Sequence, residues 1–586
     1  MSKLCVMSVL VIVLLIAPVF MTGGKVPEVM TTHGRVEGTT LRTLIRDTQY
    51  YGFMGIPFAR PPVNDLRFLP PQPIKSWDGV LKATKEKQAC VQYNTNIKKG
   101  QSLGVYGSED CLYLDIFTPD LDQNKRPVIV FVYNENFAIS HNKTKDYTPD
   151  FFIEENVLIV TISHRLSVFG FLSLEDESVP GNSGLKDIVE GLKWIKNNIE
   201  HFGGDRNKIT LMGVQGGAAA VDLLIHSNAR ELFNSAILQS GSALSTACLQ
   251  EGARQRAFEL GKILKFSTSS PTNLVSFLRN LTPVKLLSRD IHASPKDYFK
   301  ETQRGIQPFG PIVERQSDGL ITEYPEKSTN DINMPVMIGF NSREGLESSF
   351  QYLIEPRYLT YVDKDFPFMM PVRLNFKLDP VHEDFYKAID DIKNFYFRSS
   401  KVHVKDVAEY ISYIGDVAIS YNVDYTAKMY SNKSSNPVYY YYFDYYSELN
   451  ENKNNIMKLS TVEEGTWGAA SGDELCYLFK CPSLKEAYLR HHKSLSEEDN
   501  IRIKMVRMWA NFAKYGDPTP DDDTLLEGFK WPHYKLDTKQ YLHIDKTLEI
   551  KSNLYQDRFE FWDQFIFKWG SKSKLITESK NKNDEL

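Results

Sequence analysis

Short apolar runs alternate with helical stretches through the middle of the chain. Pro127–Tyr133 (Pro-Val-Ile-Val-Phe-Val-Tyr) and Asn156–Ser163 are rich in β-branched residues and lack polar alternation. That pattern predicts strands buried on both faces. Between Asn182 and Phe202 the period changes: Leu185, Ile188, Leu192, Ile195 and Ile199 recur at three- and four-residue spacing, as on one face of a helix. Lys208–Met212 then reads as a strand and the alanine-rich Gly217–Leu224 as a helix. Strand, helix, strand, sharp turn and helix is the rhythm of a doubly wound parallel sheet. Further on, Val336–Phe340 and the aromatic Val438–Tyr445 predict strands, and Ile501–Tyr515 predicts an amphipathic helix stopped by Gly516 and Pro518. No internal repeat and no linker rich in Pro, Gly or Ser interrupts the pattern. One large domain over about residues 25–569 is therefore the simplest organisation, with a mostly parallel central sheet flanked by helices.

The two ends depart from that pattern. Residues 1–24 combine an early lysine, Lys3, with an apolar run and a small-residue exit at Gly23 and Gly24, which reads as a secretory signal peptide. The run is almost long enough to be a signal anchor, but Pro18 disrupts its end. No second hydrophobic span follows, so no membrane span is expected in the mature chain. Residues 570–586 are polar and lysine-rich, a composition that predicts a mobile tail. They end in Asn583-Asp584-Glu585-Leu586, a first-position variant of the lumenal retrieval signal. Together the ends imply the endoplasmic reticulum lumen and a retrieval receptor as partner, with secretion as the alternative. Sequons at Asn142, Asn280 and Asn432 fit that compartment, Pro283 weakening the use of the second. Of the six cysteines, Cys5 lies in the signal; the other five leave at least one thiol outside any intramolecular pair. Composition adds little else: net charge −5 over 586 residues, with no basic stripe, points away from nucleic acid.

The turn after Lys208–Met212 carries the chemistry. In a nucleophile elbow, G-x-S-x-G, a strand turns sharply into a helix and lifts a serine hydroxyl above the sheet. Gly213 and Gly217 keep the two glycines, but Gln215 stands between them. A primary amide has no hydroxyl for a base to deprotonate. The frame of a serine hydrolase is present without its nucleophile.

Further motifs extend the likeness. They include Gly34-Arg-Val-Glu-Gly38, Phe53-Met-Gly-Ile-Pro-Phe-Ala-Arg-Pro-Pro62, Ser108-Glu-Asp-Cys-Leu-Tyr-Leu-Asp115, Arg165-Leu-Ser-Val-Phe-Gly-Phe-Leu172 and Phe202-Gly-Gly-Asp205. Across nearly the whole mature chain the sequence resembles the type B carboxylesterases, the cholinesterase-like branch of the α/β-hydrolases, and looks most like insect esterases. The resemblance implies an α/β-hydrolase fold and a serine–histidine–glutamate triad. Glu344, in Gly339-Phe-Asn-Ser-Arg-Glu-Gly345, stands at the acid position. Ser471, in Gly468-Ala-Ala-Ser-Gly-Asp-Glu-Leu475, stands at the histidine position. The oxyanion loop H-G-G-G-F reads Tyr133-Asn134-Glu135-Asn136-Phe137, so Asn134 and Glu135 stand at oxyanion positions together with Gly216 after the elbow. The resemblance also implies a Cys90–Cys111 disulfide and the ion pairs Arg67–Glu109 and Arg165–Asp187. The pairing of Cys248, Cys476 and Cys481 stays open.

A triad needs a hydroxyl, a base that titrates near neutrality and a carboxylate to orient it. Here only the carboxylate remains. Side chains in place of the loop glycines are expected to crowd the oxyanion site, and Glu135, turned inward, would repel an oxyanion. Cys476 is expected to be a buried or paired cysteine rather than a substitute nucleophile, His141 a surface residue and His164 structural. The sequence thus describes a non-catalytic esterase-like protein of the secretory lumen, with no cofactor or metal, that binds a small apolar ligand or a protein partner. A hydrolase with an unrecognised nucleophile and an adhesion-type ectodomain are the alternatives. The missing C-terminal span and the retrieval tail weigh against the second.

Overall fold

The computed structural model describes residues 26–94, 104–122, 124–140, 146–245, 248–293, 308–328, 331–369, 378 and 381–583. The expected signal peptide, His141, Asn142 and the last three residues lie outside the described residues.

A twelve-stranded mixed sheet organises the chain. Its strands are β1 (Thr39–Arg42), β2 (Gln49–Pro57), β3 (Tyr113–Thr118), β4 (Arg126–Glu135), β5 (Ile139–Ser140), β6 (Leu158–Ile162), β7 (Gly204–Gln215), β8 (Ser235–Gln239), β9 (Val336–Asn341), β10 (Val438–Phe443), β11 (Gln540–Ile544) and β12 (Leu548–Ser552). In space the order is β12-β11-β10-β9-β8-β7-β4-β6-β3-β2-β1, with β5 hairpinned onto the end of β4. Pairing is parallel from β6 through β11 and antiparallel at both edges.

The strands run apolar because both faces are covered. Val128, Val130 and Val132 of β4 face one hydrophobic core, and Ile129, Phe131 and Tyr133 face the other. Helix α1 (Ser183–Asn198) buries Leu185, Ile188, Leu192 and Ile195, the residues whose spacing predicts it. Helix α2 (Gly216–Ile225) is buried all round and follows β7 directly. Helix α3 (Glu497–Tyr515) is capped by Ser496, whose side chain accepts from the Asp499 N–H, and ends at Gly516 in the left-handed region. Helix α4 (Gln556–Asn583) buries Trp562 and Trp569. It continues past Gly570, with a helical backbone as far as Asn583. No helix among the described residues is long and apolar enough to cross a membrane.

The disulfide Cys90–Cys111 is present, and so is Cys476–Cys481, whose partners lie five residues apart. Cys248 is a buried thiol. Arg67 donates from Nε to Glu109 at 2.7 Å and from Nη1 to the carbonyls of Arg279 and Leu281. Arg165 grips Asp187 through Nε at 2.8 Å and Nη2 at 2.7 Å. Asn280 and Asn432 are exposed.

Candidate functional site

The site sits where β4 and β7 end side by side, Gln215 opposite Asn134 in the ladder. Strands that diverge in order leave a crevice at their carboxyl ends, where open α/β sheets place their ligands. Gln215 occupies the hinge between β7 and α2 at φ 51, ψ −116. That backbone is costly for any residue with a side chain. Gly213 and Gly217 are required by contact: a Cβ on the first would strike Gly217, and on the second the Val132 carbonyl.

Two of the three residues expected at triad positions meet across the fold. The Gln215 amide donates from Nε2 to Ser471 Oγ at 2.9 Å. Ser471 is buried, and its carbonyl accepts from Asn452 Nδ2 at 2.9 Å. Glu344 Oε1 accepts from the Asn341 N–H and the Ser240 hydroxyl, each at 2.6 Å. Its Oε2 has no hydrogen-bond partner within 3.5 Å. A long amide at the serine position and a short hydroxyl at the histidine position fill the space between β7 and Glu344 with the sizes exchanged.

The expected oxyanion loop is tied up in its own hydrogen bonds. Asn134 is fully buried and turned into the protein. Its Oδ1 accepts from the Phe137 N–H at 2.9 Å, and its Nδ2 lies 3.1 Å from His164 Nε2. The same Oδ1 packs against Gly216, where a Cβ would collide with it. Glu135 is partly buried and Asn136 exposed. Asn136 (φ 48) and Phe137 (φ 60) hold left-handed backbone, Asn136 at one of the expected loop glycines. Burial lowers the pKa of His164 to about 4, which leaves it neutral. It serves as the partner of Asn134 and does not face Ser471 in any hydrogen bond.

Residues 25–562 match the Carboxylesterase family. The chain belongs to that family. It is 30% identical to juvenile hormone esterase of Tribolium castaneum over 569 residues, covering 92% of this chain and 93% of that one. Esterase FE4 of Myzus persicae is 31% identical over 519 residues, 86% of this chain and 87% of that one. Among solved structures, juvenile hormone esterase from Manduca sexta with OTFP covalently attached superposes with TM-score 0.77 at 27% identity, over 93% of this chain and all of that one. The fold is that of the α/β-hydrolases.

In this carboxylesterase-family chain the acid loop and the base loop are zipped together. Arg343 N–H donates to the Ala469 carbonyl at 2.8 Å, and Asn341 Nδ2 to the Ala470 carbonyl at 2.6 Å. Beneath them lie three buried carboxyls. Burial pushes Glu344 up to about 7 against hydrogen bonds from Asn341 and Ser240, with Glu474 adding like-charge repulsion and the Ser471 hydroxyl a smaller opposing pull. Burial also raises Asp473 to about 7, and it raises Glu474, which accepts from Gln239 at 2.8 Å. Ser240 could not be picked out from its neighbours in sequence. Asn341 stands inside the acid motif, and its contacts with Glu344 and the base loop come only from the fold. Cys476 is removed from chemistry by its disulfide with Cys481.

These carboxyls set a pH dependence. Each has a folded pKa above its unfolded value, so the folded state binds more protons between the two. For Glu344 and Asp473 the stabilising contribution is complete below about pH 4 and is lost as pH rises through about 7. Glu344→Gln cannot lose a proton. Its melting temperature is expected to fall less than that of the parent between about pH 5 and pH 8, the range spanning the Glu344 titration. Equal slopes for the two proteins would show that Glu344 is already ionised in the fold.

Proposed function

We propose that this carboxylesterase-family protein does not hydrolyse esters and acts by binding, taking a small apolar ligand at the old active site or a protein partner. One observation carries the reading: the nucleophile and base positions are an amide and a hydroxyl bonded to each other at 2.9 Å. Among the described residues, no histidine hydrogen-bonds to Gln215 or Ser471. Family membership and the retained elbow support a protein that kept its scaffold under other demands than turnover. The direct test is active-site labelling. Mature protein incubated with a fluorophosphonate probe should show no covalent adduct, and p-nitrophenyl acetate should not turn over above the buffer rate. Stoichiometric labelling that an ester blocks would revive the hydrolase reading.

The proposed compartment is the endoplasmic reticulum lumen, supported by the leader-like residues 1–24 and the terminal Asn-Asp-Glu-Leu. Glycans on the protein should stay sensitive to endoglycosidase H, and deletion of the last four residues should release it to the medium. Secretion of the intact chain with mature glycans would rule out a working retrieval signal.

A further inference from the structure

Beyond the base loop the chain gathers a second set of reactive groups. Cys476 and Cys481 follow the loop directly, and Glu451 meets them from a separate helix, Glu451–Met457. The disulfide withholds both sulfurs, and opening it returns them as thiols. We propose that the opened pair binds a zinc ion, with Cys476, Cys481 and Glu451 as its protein ligands. This goes beyond the loss of hydrolysis and does not depend on it.

The ligand atoms are already gathered. The two Sγ atoms and one carboxylate oxygen of Glu451 all lie within 4.8 Å of one another. Glu451 Oε2 is 3.7 Å from Cys476 Sγ, while its Oε1 accepts from the Ser483 hydroxyl. One oxygen is thus held by a neighbour and the other faces the sulfur, as ligating carboxylates are oriented by their surroundings. Hydrogen bonds hold the backbone on both sides independently of the disulfide. Tyr488 Oη donates to the Cys476 carbonyl at 2.7 Å and accepts from the Cys481 N–H at 3.2 Å. Lys480 and Thr148 exchange two backbone hydrogen bonds, each at 3.0 Å. The cysteine Cα atoms are 5.4 Å apart, so the opened thiols stay side by side. Two sulfurs on one tetrahedral zinc stand about 3.8 Å apart, given Zn–S bonds of about 2.3 Å. Side-chain rotation from this backbone reaches that separation.

The donor set selects the ion. C-x₄-C falls within zinc-ligand spacing. Two thiolates disfavour calcium and magnesium, which take oxygen ligands, and the carboxylate suits zinc better than copper(I). Both cysteines are buried, whereas Glu451 is half-buried and Ser483 exposed, which leaves the fourth position open to a water. The chemistry balances with one reagent, a dithiol, the class that exchanges disulfides in secretory compartments. The Cys476–Cys481 S–S bond breaks, the dithiol closes to its own disulfide, and its two hydrogens end on the cysteine sulfurs. Zn²⁺ then replaces the two thiol protons, which pass to solvent.

Zinc uptake by untagged mature protein tests the site. Folded protein is reduced with a phosphine rather than a thiol, so that the reductant does not compete for the metal. Alkylation and peptide mapping record which cysteines have opened, and a chromophoric chelator competes for zinc. Protein with Cys476 and Cys481 reduced should bind one zinc per chain, and oxidised protein should bind none there. Cobalt(II) in its place should show thiolate-to-metal charge-transfer absorption. Glu451→Gln should weaken binding by at least about tenfold, since even partners outside the ligand set are worth about 10–100-fold. Cys476→Ser/Cys481→Ser should abolish binding, with Cys90, Cys111 and Cys248 still present. Folded wild-type protein that has both thiols free and takes up no zinc overturns the proposal, and that measurement needs no variant to fold. A disulfide that stays closed under native reduction overturns it too. Uptake that survives in the double variant assigns the ion to other cysteines and has the same consequence. Unchanged affinity in folded Glu451→Gln removes the carboxylate from the ligand set. The readout is a bound ion, not turnover, so it stands apart from the test of inactivity.

Discussion

Gln215→Ser alone is expected to leave the protein without measurable esterase activity. The substitution supplies a hydroxyl at the elbow but no base, because position 471 carries a serine. In triads that act as a unit, loss of either the serine or the histidine costs on the order of 10⁶ in turnover, so restoring one member recovers little. Gln215→Ser/Ser471→His rebuilds the base next to Glu344, whose unpartnered Oε2 is available to orient an imidazole. That pair should turn over a short-chain aryl ester slowly. Each oxyanion donor still misplaced costs about 10²–10³. The steep rise is therefore expected only when the loop is restored as well. The structure changes which part of the loop to restore. Asn134 faces inward, tied to Phe137 and His164, so removing it leaves buried polar groups unpaired at about 1–3 kcal/mol. Glu135→Gly and Asn136→Gly should be added first and Asn134→Gly last. Strong activity from Gln215→Ser alone would reveal another base and refute this account of the site.

The largest effect on stability is expected at Asp187. Its carboxylate accepts from Arg165 Nε, Nη2 and backbone N–H, and the two side chains are 0% and 3% exposed. Asp187→Ala leaves the guanidinium buried without its counter-ion. Breaking a buried pair from one side costs about 3–5 kcal/mol. That is a large part of the roughly 5–15 kcal/mol by which domains are stable. Replacing both partners with apolar residues of similar volume should cost much less than the single change, since the desolvated charge is then gone. Denaturant midpoints of the three proteins compare them. A single-variant loss below about 1 kcal/mol would place the pair in the class of solvent-screened bridges.

Much of the sheet was readable because its strands are local patterns. Runs such as Pro127–Tyr133 and Val336–Phe340 are apolar at every position, which only a strand covered on both faces tolerates in water. The structure extends the first to Glu135, taking two of the expected oxyanion residues into the strand. That extension was not readable: Asn134 and Glu135 have poor strand propensity, and it is the hairpin with β5 and the ladder with β7 that hold them. Residues after Gly570 have no core-forming composition, but they continue a helix already anchored by Trp562 and Trp569.

At the site, sequence alone showed which residue types occupy the motifs. Gln215 and Ser471 are visible as residue types in motifs of fixed spacing, and an amide or a lone serine fails as nucleophile or base wherever it is placed. Sequence could not show what those residues do instead. That Gln215 reaches Ser471, that Asn134 turns inward to His164, and that Glu344 keeps one oxygen unpartnered depend on contacts between residues 30 to 256 positions apart. The pairing of Cys476 with Cys481 likewise stayed open until backbone geometry brought them together. Residue identity sets which protons and lone pairs exist. Only packing of distant strands and loops sets their distances, their burial and so their pKa values, because desolvation and hydrogen bonding act through space rather than along the chain.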